Sequence, residues 1–166
     1  METQFINKIN SAVIEVLSMM ARVQPVIGHA QFKSAEQTVE GKNVTGLINI
    51  KGKKVVAAAP DKHVVASIAL TFPETVALHI ARQMMQMEFK TIDNIVLDLT
   101  GEIANMVLGT AKRGMEAEGY ELQLSLPSVI VGTNYLIAHP VKSAIIDQTY
   151  NIAEGKFVIE IGYDES

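Results

Sequence analysis

The sequence contains no cysteine and no tryptophan, and only 5% of its residues are aromatic. The missing cysteine excludes a disulfide framework, a thiolate metal site and a thiol nucleophile, and it fits a reducing cytoplasm. Charge is sparse as well: 19% of residues are charged, the net charge is −4, and the basic residues are scattered. Only Lys51, Lys53 and Lys54 cluster, and they read as a hairpin turn. A nucleic-acid surface would need more basic charge on one face. There is no run of ~18 apolar residues, so no membrane insertion is expected. Met1-Glu2-Thr3-Gln4 lacks the basic start and apolar stretch of a signal peptide, and the sequon at Asn43 is therefore read as incidental. No Walker-type or G-x-G-x-x-G loop is present, and the histidines (His29, His63, His79, His139) form no metal-ligand pair. They read as ordinary half-buried or surface residues. Ser125, Ser128 and Ser143 lack the G-x-S-x-G setting of a triad hydrolase.

What is present is apolar material, 48% of 166 residues. That is enough for one domain, residues 1–166, with a sizeable core. Phe5, Ile6, Ile9, Val13, Val16, Leu17 and Met20 recur at helical spacing and predict a first helix ending before Pro25. Three strand-like runs follow: Val44 to Ile50, Lys54 to Ala59, and His63 to Leu70. Thr71-x-x-Glu74, with Pro73 between, reads as the start of a second helix running to about Met87. Met84, Met85 and Met87 at its end read as core filler, or as an edge that adapts to a partner. A third, long helix is expected from about Thr91 to about Gly119. Short strands return from Glu121 to Tyr163, with turns at Gly132-Thr133-Asn134, His139-Pro140 and Glu154-Gly155. Successive hairpins imply antiparallel pairing. The fold class is an α/β (α+β) sandwich, a mainly antiparallel sheet with long helices on one face.

The third helix carries the chemistry. Asp98, Glu102 and Asn105 are spaced four and three apart, which stacks their side chains on one helix face. At 100° per residue they form a narrow stripe with Gly109, continued by Lys112. Ile92, Ile95, Val96, Leu99, Ile103, Met106 and Val107 make a broad apolar face on one side. Leu97, Ala104 and Leu108 are apolar on the other. A surface helix normally carries charge at such borders, so the stripe reads as a docking face. Gly101 and Gly109 adjoin it. Each costs ~1 kcal/mol relative to alanine in a helix, which is tolerated where another backbone comes close.

The pattern Asp98-x-x-x-Glu102-x-x-Asn105, followed at a distance by Pro127, resembles the signature of the CheC/CheX/FliY family of chemotaxis phosphatases. One complete copy is more like CheX than CheC, where two are usual. The resemblance implies removal of the phosphoryl group from the phospho-aspartate of a CheY-type response regulator. Asn105 would orient the attacking water, since an amide offers both acceptor and donors without titrating. Glu102 would pair with a lysine of the regulator. Asp98 would cap or orient Glu102, and Pro127 would bound an edge strand. The regulator would supply Mg²⁺, so no metal is expected on this chain. The resemblance further implies a pseudo-symmetric internal duplication and a homodimer formed through sheet edges. Ser11-x-x-x-Glu15-x-x-Ser18 repeats the motif's spacing on the first helix, with Ser18 in place of the amide. Chance likeness between two amphipathic helices would give the same echo. The sequence-based expectation for the dimer contact is the strand-rich stretch from Leu136 to Tyr163. The alternative function is a non-catalytic CheC-like or flagellar-switch-like adaptor, which would not need the amide.

Overall fold

The computed structural model describes residues 2–33 and 39–166. Helix α1 (Glu2–Ala21) is followed by strands β1 (Val26–Phe32), β2 (Val39–Lys54) and β3 (Lys62–Pro73). Helices α2 (Glu74–Met85) and α3 (Asn94–Glu116) follow. Strands β4 (Tyr120–Leu124), β5 (Ser128–Tyr135), β6 (Ile146–Ile152) and β7 (Gly155–Glu165) complete the chain. The strands form one seven-stranded sheet in the order β1-β6-β7-β3-β2-β4, with β5 beside β4 on the same edge of β2. Every pairing is antiparallel.

Reading the order from either edge exchanges β1 with β5, β6 with β2, and β7 with β3. Each set of three follows a long helix, α1 in one half and α3 in the other. This is the pseudo-two-fold duplication, with β4 and α2 as additions. The two long helices lie against each other over the sheet. Val64, Ala66, Ile68, Leu70 and Phe72 alternate along β3 into one continuous core with Ile9, Leu17, Ile103 and Val107.

Several local expectations are corrected. β1 was not anticipated. Val55 to Ala59 is a hairpin turn and not a strand, with Ala58 at φ 59°, while Lys51, Lys53 and Lys54 lie in β2. An apolar composition hides the turn, and the Lys53–Asp61 ion pair (2.9 Å) clasps its base. Thr71 is a strand residue whose hydroxyl meets that of Thr45 at 2.6 Å, and α2 begins at Glu74 without a side-chain cap. Gly132 to Asn134 continue β5. Asn134, at φ 52°, absorbs a bulge opposite β2 and accepts a hydrogen bond from the Gly41 amide (2.7 Å). Met84 packs on the core, but Met85, the last residue of α2, and Met87, beyond the left-handed turn at Gln86, are exposed.

The C-terminal strands also sit differently from expectation. β6 and β7 are interior strands, each paired on both sides, and Leu136 to Ala138 belong to a loop. The sheet edges are β1 and the β4/β5 pair. The loop from Leu136 to Ile145 joins β5 to β6 and covers the sheet face opposite the helices. Val141 and Ile145 press on Gly162, where a Cβ would meet Val141 at 2.5 Å.

Beneath that loop lies a polar layer. Glu160, almost fully buried, accepts from Lys33 Nζ (2.6 Å) and bonds His139 Nε2 (3.1 Å). His139 Nδ1 in turn bonds the buried Ser67 hydroxyl (2.7 Å). His139 is thus neither a surface nor an ordinary half-buried histidine. Burial pushes the Glu160 carboxyl up, but the bonds from His139 and Lys33 outweigh it and hold it below the usual range. Asp147 is 6% exposed, and its Oδ1 has no hydrogen-bond partner among the described residues. Burial, reinforced by the nearby Glu160 charge, raises its carboxyl to about 6.

A carboxyl that holds its proton more tightly when folded loses stability as pH rises from the unfolded value, 3.8, through about 6. Asp147→Asn removes this loss. The variant is expected to exceed the parent by on the order of 1–3 kcal/mol at pH 8 and to converge with it near pH 3.5. Denaturant unfolding at both pH values checks this, and an equal gain at both would reject the ionisation account.

Candidate active site

Helix α3 is started by Asp93, whose carboxylate accepts from the Val96 amide at 3.0 Å. Its buried side is Val96, Thr100, Ile103, Ala104, Val107, Leu108, Ala111 and Met115. Thr100 is polar in this row, and its hydroxyl is satisfied by the Val96 carbonyl (2.8 Å). The helix sits very close to β2 at Gly46. A Cβ there would lie 2.8 Å from Ala104 Cβ and 3.1 Å from the Thr100 carbonyl oxygen. Only glycine permits this approach, and it fixes both the height and the rotation of α3 on the sheet.

That rotation turns Asp98, Glu102 and Asn105 outward, and all three are exposed. Among the described residues none of the three forms a hydrogen bond or ion pair. Asp98 and Glu102 are like charges one turn apart, an arrangement that costs a few tenths of a kcal/mol unless a cation faces it. One border of the stripe is Ile95, 40% exposed, with the partly buried Leu99 and Met106. The other border is Gly101, where a Cβ would lie 3.1 Å from Val129 Cγ2 and 3.7 Å from Pro127 Cγ. Pro127 immediately precedes β5, and its ring packs on the helix beside Glu102. Its neighbour Leu126 is 88% exposed. Sequence reasoning did not single out Leu126, because one apolar residue in a loop carries no periodicity.

The two glycines differ. Gly101 admits the segment before β5. Gly109 has open space above it, with only the Arg113 guanidinium within reach at 3.9 Å. A groove of ≈ 500 Å³ runs there, lined by Asn105, Met106, Gly109, Arg113 and Leu124, among others. On α1, Ser11 and Glu15 are exposed like their counterparts. Ser18 is half-buried, and its hydroxyl bonds Gln24 Oε1 at 3.3 Å. Among the described residues no three His, Cys, Asp or Glu side chains converge on a metal-sized space. No helix among the described residues is long and apolar enough to cross a membrane.

Comparison with known proteins decides the family. The model of the chemotaxis phosphatase CheX matches residues 44–151. The chain belongs to the CheX family. A CheC-like superfamily protein from Shewanella sp. PV-4 is similar at 32% identity over 99% of both chains, with a TM-score of 0.82. Chemotaxis protein CheX from Vibrio vulnificus is similar at 29% identity, over 96% of this chain and 99% of that one, with a TM-score of 0.79. CheX from Borrelia burgdorferi, solved as a CheX–CheY–BeF₃–Mg²⁺ complex, shares the fold at 19% identity and a TM-score of 0.67, over 97% of each chain. No curated protein sequence matches the chain.

In a CheX-family protein the placement of α3 on β2 governs the outward stripe. Gly46→Ala is expected to destabilise the fold by ~1–3 kcal/mol, because backbone and helix must separate. Thermal unfolding checks this; an unchanged midpoint would show that the approach is not tight.

Proposed function

We propose that this CheX-family chain hydrolyses the aspartyl phosphate of a CheY-type response regulator. The carrying observation is the exposed Glu102–Asn105 pair, one helical turn apart, with unused hydrogen-bonding capacity toward solvent. Hydrolysis of an acyl phosphate needs a water held in line with the departing carboxylate, and positioning supplies most of the catalysis. The Asn105 carboxamide can accept from and donate to that water at once. Glu102, repelled by a phosphoryl dianion, takes the regulator's lysine instead. Asp98 adds to the negative potential that favours this lysine and orients Glu102 along the helix surface. Pro127 is structural: it wedges against Gly101 and holds the stripe's border. The metal belongs to the regulator in this reading. The Borrelia relative was solved in complex with CheY, which supports a CheY-type partner for this chain. A response-regulator substrate places the activity in the cytoplasm.

Asn105→Ala is expected to lose about 10²-fold in regulator dephosphorylation, as ~3 kcal/mol of positioning would require, with little change in stability. Glu102→Gln is expected to weaken regulator binding as well as turnover. Single-turnover decay of the phosphorylated regulator, with binding measured separately, tests both. Full activity of Asn105→Ala would remove the mechanism and leave the adaptor reading, in which the amide has no task.

The same reading includes a homodimer through a sheet edge. β1 is the candidate edge, bearing exposed Val26, Ile27 and Phe32. Pairing there leaves the α3 stripe open on each subunit. Light scattering at micromolar concentration is expected to give about twice 18.1 kDa, and a monomer mass would reject the dimer.

A further inference from the structure

Gly109 is a mid-helix glycine without an internal reason. It has helical conformation, unlike the glycines at positive φ. It also lacks the close neighbour that Gly46 and Gly101 have. The nearest atom to its missing Cβ is Arg113 Nη1 at 3.9 Å, the far end of a flexible side chain. That guanidinium is turned aside, with Nη2 donating to the Thr110 hydroxyl at 3.0 Å. Helix propensity therefore favours alanine here, and nothing within the fold opposes it.

Its position is specific. Gly109 lies one turn beyond Asn105 on the same outward stripe and forms part of the groove that Asn105 also lines. We infer that Gly109 is a specificity-determining position: the groove over it admits the backbone of the phosphorylated receiver domain next to its phospho-aspartate. This inference rests on the phosphatase reading of the stripe and deepens it.

The geometry requires such room. A water hydrogen-bonded to Asn105 must reach a phosphorus atom carried on an aspartate side chain. That side chain is short, so the partner's surface beside its phospho-aspartate faces α3 on one side of the amide. The next turn lies ~6 Å along the axis. On the Glu102 side the stripe is acidic and is assigned to the regulator's lysine. On the Gly109 side the wall is low and the rim is net positive: Arg113 stands beside Lys112, which is paired with Glu116 at 3.3 Å. A dianionic phosphoryl group and the acidic residues that bind its metal fit that end by charge. Gly109 thus supplies clearance, and Arg113 supplies a movable positive wall.

The test uses Gly109→Ala and Gly109→Leu in the full chain with a cognate receiver domain, activated by beryllofluoride for binding and phosphorylated for turnover. Both variants are expected to unfold at or above the parent's temperature, because no packing is lost and a helix former replaces glycine. Regulator binding is expected to weaken several-fold for Ala and about tenfold or more for Leu. The loss should appear in KM and Kd more than in kcat at saturating regulator. A purely structural role for Gly109 would lower the unfolding temperature and spare Kd. Unchanged binding by a folded Gly109→Leu protein would overturn the inference while leaving the phosphatase reading intact. Failure of the parent protein to bind or dephosphorylate any receiver domain would remove the reading itself, and this inference with it.

Discussion

The approach of α3 to β2 at Gly46 is the constraint on which the rest of the molecule depends. A helix resting on ordinary side chains is held off the sheet by them, and its height and rotation vary with their size. Here Ala104 Cβ and the Thr100 carbonyl rest on bare backbone, so neither height nor rotation is free. The outward direction of Asp98, Glu102 and Asn105 follows from that one contact. Pro127 fixes the opposite flank by closing on Gly101. Catalysis by positioning tolerates little play, and a stripe clamped by two glycine contacts has little.

The stripe was legible in the sequence because a helix converts spacing into direction without any long-range information. The same holds for α1 and for the overall alternation of helices and strands. Other features needed the tertiary structure. Gly46 looks like any glycine in a strand until Ala104 stands over it. Val55 to Ala59 has strand composition, yet Ala58 takes a left-handed conformation because the Lys53–Asp61 clasp and the β2–β3 register close the hairpin there. β6 and β7 look like exposed edge strands in sequence order. They are interior because the duplication threads each half's last two strands between those of the other half. Sequence order says nothing about that interleaving.

The interleaving also explains the buried charges. Both halves send a connection from an outer strand to a strand on the far side of the centre. The described connection, Leu136 to Ile145, lays backbone and a histidine over the sheet's second face. Ser67 and Glu160 lie on that face, and both end bonded to His139. Lys33, at the end of β1, reaches the same carboxylate and donates its amide to the Ile145 carbonyl (2.8 Å). A purely apolar layer would hold the loop as tightly, but it would not fix where along the sheet the loop sits. Directional bonds to one carboxylate do. Asp147 is the residue this network leaves unsatisfied.

The two halves then differ in a way that locates function. On α1 the counterpart of Asn105 is Ser18, half-buried and bonded to Gln24. On α3 three features run against local stability on one exposed face. Two carboxylates repel one turn apart, and among the described residues the amide has no partner and the glycine that interrupts the helix has nothing packed on it. Each is individually small. The rest of α3 is locally consistent: Asp93 caps it, Thr100 is satisfied, and Gly101 has close neighbours. Departures from local consistency that share one face are what a binding and catalytic surface requires, since whatever satisfies them must come from outside. In the function proposed above, the partner that satisfies all three would present a cation to Glu102, a water and phosphoryl oxygen to Asn105, and backbone to Gly109, in that order along the helix.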